Sequence, residues 1–124
     1  MKTRGRGVQQ AAAAAWVLAC ASAAASAPQD GLYPGTLCVT VASTPTSCGP
    51  VEVELSDGSQ AFVRVSDISY HLWLYPSRLS AVLMHGSMQI HEFESAYAWQ
   101  GATLQFADAP KSARYELKLG ERKP

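Results

Sequence analysis

The chain contains no glycine-rich phosphate loop, no His-Glu-x-x-His, no Cys-x-x-Cys and no Gly-x-Ser-x-Gly. Those absences take away the usual signatures of nucleotide-dependent enzymes, zinc hydrolases, thiol–disulfide oxidoreductases and α/β-hydrolases. Charge is scarce at 16% of residues, and beyond Lys2, Arg4 and Arg6 the only basic cluster is Lys118, Arg122 and Lys123. So small a basic footprint speaks against nucleic acid as a partner. No internal repeat is visible. The longest apolar run, Ala11 to Ala25, falls short of the ~20 residues a membrane-spanning helix needs.

That run nevertheless has a clear use. Lys2, Arg4 and Arg6 precede it and small residues end it, which is the order of a secretory signal peptide over residues 1–25. Cleavage is expected between residues 19 and 27. Ala21-Ser22-Ala23 and Ala23-Ala24-Ala25 suit a signal peptidase better than Ala25-Ser26-Ala27, because Pro28 would follow that last cut. Val17-Leu18-Ala19-Cys20 also resembles a bacterial lipobox, with Leu18 departing from the usual pattern. That resemblance implies Cys20 as a lipidated first residue and a route to the outer membrane. Either route removes Lys2, Arg4 and Arg6, leaving seven of the ten basic side chains against ten acidic ones. The mature chain is therefore slightly acidic.

Cys38 and Cys48 then remain as an even pair in an exported chain, which reads as a disulfide. A tether is expected over 26–35 and a single β domain over 36–124, about the right length for one core. The dominant period from Thr36 is two. Leu37, Val39 and Val41 alternate with polar or small neighbours, as do Val51, Val53 and Leu55. Asp57-Gly58 supplies a tight hairpin turn before Ala61, Val63 and Val65. Two more strands follow through Ala102, Leu104 and Phe106, then Tyr115, Leu117 and Leu119. The fold expected is mainly β, a small antiparallel sandwich or barrel. Residues 76–85 fit a short helix between Pro76 and Gly86, or a strand; β neighbours favour the strand.

Two stretches hold candidate site residues. In Tyr70-His71-Leu72-Trp73-Leu74-Tyr75, strand alternation puts His71, Trp73 and Tyr75 on one face. That face is either the covered side of a central strand or an amphipathic contact surface, to which Tyr97 and Trp99 would add. In Leu83 to Glu92, two methionines and two histidines lie close together. A Gly86-Ser87 turn of type II′ would pair His85 with Met88 and Leu83 with Ile90. Met84 and His91 would then share the opposite face with Val82 and Phe93. His85 and Met88, with His71 as a third donor, are the copper candidates; the plainer reading is that they are structural.

Glu92 and Glu94 share a strand face, but solvated charges explain them better than an acid–base pair. The expectation is an exported, non-catalytic bacterial envelope protein, periplasmic, extracellular or lipid-anchored. It would bind an envelope protein or a glycan, as an inhibitor, immunity or assembly factor or glycan-binding module, without a cofactor. Periplasmic copper handling is the alternative.

Overall fold

The computed structural model describes residues 27–124. The expected signal peptide, its cleavage positions up to residue 26 and the lipidation candidate Cys20 lie outside the described residues.

Nine antiparallel strands form one sheet: β1 (Gly31–Val41), β2 (Ser47–Ser56), β3 (Gln60–Val65), β4 (Ile68–Leu74), β5 (Leu79–His85), β6 (Met88–Ser95), β7 (Tyr97–Gln100), β8 (Thr103–Asp108) and β9 (Ala113–Leu119). A single 3₁₀ turn, Ala109–Lys111, separates the last two. The strand order is β6-β5-β4-β3-β2-β1-β9-β8-β7. Its two ends, β6 and β7, are joined in the chain by Ala96 alone. One bent segment thus pairs with β5 through its first half and with β8 through its second, nearly closing a barrel. The expected small β-barrel or sandwich is what forms.

Alternation explains the interior. Leu37, Val51, Val53, Leu55, Ala61, Val63, Leu72, Leu79, Ala81, Leu104, Leu117 and Leu119 all face inward and are buried. Phe93, Phe106 and Tyr115 form an aromatic stack beside them, with Phe106 and Tyr115 centroids 4.9 Å apart. The turn residues behave as their chemistry requires: Asp57 and Gly58 have φ of 56° and 67°, and Gly86 has φ of 62°. Cys38 and Cys48 face each other across β1 and β2 and are disulfide-bonded. By the chain-entropy argument, so short a closed loop contributes about 3 kcal/mol.

Of the two readings of residues 76–85, the favoured strand forms: Leu79–His85 is β5, flanked on both sides by β4 and β6, with no helix there. Two expectations are corrected. The expected tether 26–35 is strand from Gly31 onward, with Tyr33 buried. Pro34 is tolerated there because the missing N–H lies beyond the end of the β9 ladder, where the Pro34 carbonyl accepts from Gly120 N–H at 2.6 Å. Finally, a β-bulge interrupts the β5–β6 ladder: Met84 pairs with Gln89, but Leu83 pairs with His91. The extra residue, Ile90, is 50% exposed rather than facing inward with Leu83. The bulge turns His91 onto the inner face, opposite to Met84.

That turn closes the seam. No backbone ladder joins β6 to β8 among the described residues; side chains bridge them instead. His91 Nε2–H donates to Asp108 Oδ2 at 2.7 Å, and Ala107 N–H donates to Ser95 Oγ at 3.0 Å. Asp108 is 1% exposed, and its Oδ1 has no hydrogen-bond partner among the described residues.

Nearby, burial raises the ionisation of the Tyr115 phenol well above its ordinary range, helped by Tyr70 and the Asp108 charge; burial also raises Tyr70. A phenol whose folded pKa exceeds its unfolded one stabilises fully below the unfolded value and loses that contribution as pH rises from there through the folded value. Thermal stability is therefore expected to fall above about pH 10. Melting curves across alkaline pH check this, and Tyr115→Phe should flatten the decline.

Candidate functional site

The outer surface of β1 to β6 is organised by register into transverse rows. One row runs Leu32, Glu54, Phe62, His71, Val82 and Glu92, each directly opposite the next on the adjoining strand. A neighbouring row contains Gln60, Trp73, Ser80 and Glu94. Phe62 and His71 have ring centroids 4.5 Å apart, and His71 meets Trp73 edge-on at 5.7 Å. All three rings are partly exposed. Beside them, Glu54, Ser56 and Gln60 complete a cleft of about 200 Å³. The Arg64 guanidinium lies 5.2 Å over the Phe62 ring and 3.8 Å from Glu52.

His71 and Trp73 therefore share a face with each other, as strand alternation requires, and Phe62 joins them. Its signal was present in the sequence: an aromatic residue stands on the polar side of the alternation Ala61, Val63, Val65. Tyr75 lies past the end of β4, exposed, in a turn where its N–H donates to the Arg78 carbonyl at 2.8 Å. Tyr97 faces the core and donates its hydroxyl to the Tyr75 carbonyl at 2.7 Å, so it supports this turn from beneath. Arg78 adds an ion pair to Glu94. Trp99 is 7% exposed and belongs to the core. It is no part of the outer face, contrary to the expectation that it would extend the row.

The four soft donors near Gly86 do not gather. His85 hydrogen-bonds Asp67 at 2.9 Å, linking the tips of two hairpins, and this bond holds the Asp67 carboxyl below its ordinary range. Met88 pairs opposite His85 and is 67% exposed. His71 stands on the outer face of the sheet, whereas His85 follows the inward alternation of β5, so the sheet lies between them. His91 is held by Asp108 at the seam.

A second concavity, about 820 Å³, covers the outer face of β1, β9, β8 and β7. Its floor is small, with Ala98 and Ala107, and its walls include the Cys38 side, Thr46, Gln105, Arg114 and Glu116. Gln105 donates to Glu116 there at 3.2 Å.

Comparison of the chain with protein-family models, curated protein sequences and solved structures finds no match.

Proposed function

We propose that this protein is a non-catalytic binding protein of the cell envelope, and that the outer face of β3 and β4 is its contact surface. The observation that carries the reading is the contiguous, partly exposed set Phe62, His71 and Trp73, with Arg64 stacked on it. Rings of this kind give large contact area with little conformational entropy to lose, which is why they dominate binding hot spots. The Cys38–Cys48 disulfide supports an oxidising compartment, and the charged and apolar order of residues 1–25 supports export. Periplasmic, extracellular and Cys20-anchored forms would all present the same face. The ligand class is an envelope protein or a glycan.

The test is retention of envelope components by the immobilised chain, wild type against Phe62→Ala, His71→Ala and Trp73→Ala. Loss of one component by about tenfold or more, at unchanged thermal midpoint, is the expected result. Equal retention by all four proteins would rule this face out.

A further inference from the structure

We infer that the partner of the Phe62–His71–Trp73 face is a protein surface carrying cationic side chains around an apolar centre. The inference rests on the proposed contact surface and assigns its chemistry. Four carboxylates, Glu52, Glu54, Glu92 and Glu94, stand on the outer face of β2 and β6. Arg64 engages Glu52 and Arg78 engages Glu94. Glu54 and Glu92 make no ion pair among the described residues, although Lys123 lines a small pocket with Glu52 and Glu54.

These two occupy the same transverse row as the rings, in the order Glu54, Phe62, His71, Val82, Glu92. Four strand spacings separate them, about 19 Å measured along the curved wall of the sheet, so each carboxylate flanks the rings from its own side of the curve. An apolar middle with a charge at each end is the anatomy of a protein–protein contact, in which the centre excludes water and the rim selects by charge. Leu32, 51% exposed, extends the apolar line beyond Glu54.

Arg64 shows what the middle accepts. Its guanidinium already rests over Phe62, and Trp73 offers the ring type that attracts cations most strongly. A lysine or arginine from a partner would meet a ring face and an unpaired carboxylate together. A neutral sugar would use the rings but gain nothing from carboxylates set at opposite ends of the row.

The full chain is titrated with hexa-arginine amide, hexa-glutamate and an uncharged N-acetylglucosamine hexamer, following the NMR signals of the His71 ring and Trp73 indole. The expected result is saturable shifts with hexa-arginine alone, weakened by added salt. Glu54→Gln with Glu92→Gln should reduce affinity about five- to tenfold, and Glu116→Gln should leave it unchanged. Shifts of the same signals by the sugar, indifferent to the glutamate changes, would overturn the cationic assignment and leave the contact surface standing. No shift at His71 or Trp73 with any probe, or arginine-induced shifts only elsewhere, would overturn both.

Discussion

Substituting His91 by alanine is expected to destabilise the barrel by about 2–4 kcal/mol, well beyond the effect of an ordinary surface histidine. The imidazole supplies the only hydrogen bond made by the Asp108 carboxylate among the described residues. Asp108 is 1% exposed, so water cannot readily replace that bond. Removing one member of such a pair leaves an uncompensated charge in the seam, which costs more than never having had the pair. Partial exposure of His91 moderates the figure, because water can enter where the ring was. Replacing both residues by alanine should cost less than the two single changes summed, with a coupling of about 1–3 kcal/mol. Urea unfolding of the four proteins gives the cycle. A His91→Ala loss within about 0.5 kcal/mol would mean that Ser95 and the packing hold the seam without the pair.

The two tryptophans of the described residues should respond unequally to truncation. Trp99→Ala is expected to cost about 3–5 kcal/mol, because it opens a large cavity among core side chains. Trp73→Ala should cost less, about 1–2 kcal/mol, since that indole lies partly exposed on the outer face and opens no enclosed cavity. The separation is checked by urea midpoints together with acrylamide quenching of the wild-type fluorescence. In the chain without residues 1–25, which carry Trp16, two emitting populations of unlike accessibility are expected, with the quenched one absent in Trp73→Ala. Similar losses from both substitutions would return Trp73 to the core and take away the proposed contact face.

Period-two alternation carried most of the fold because each strand has one face that must leave water. With the turn residues it located the β2–β3 hairpin, the Gly86-Ser87 turn and the strand through Leu79–His85, while the even cysteine count gave the Cys38–Cys48 pair. It misplaced His91 and Ile90 because a bulge adds one residue to one strand only, and nothing in Gln89-Ile90-His91 marks it. The same limit applies to Trp99. Alternation groups residues two apart on one strand, but Tyr97 and Trp99 lie on the inward phase of β7, which only the pairing with β8 sets. Gly31 and Pro34, with Pro28 before them, made residues 26–35 look like a tether. The place of Pro34 in β1 depends on β9 ending beside it, a relation between segments far apart in the chain. Of the candidate face, His71 and Trp73 were legible on one strand, whereas Phe62 and Glu54 join them only through cross-strand register.

Eight ladders hold this sheet, and seven of them join strands that are consecutive in the chain. The eighth, β1 to β9, brings Gly35 against Leu119. A chain synthesised from its N-terminus could zip each hairpin as it emerges, yet β1 must wait for β9, the ninth strand in chain order. Until then both β1 and β8 present raw edges, able to recruit strands from other molecules. Truncation before Ala113 would therefore give a sticky half-wrapped cylinder rather than a slightly smaller one, and β9 acts as the clasp.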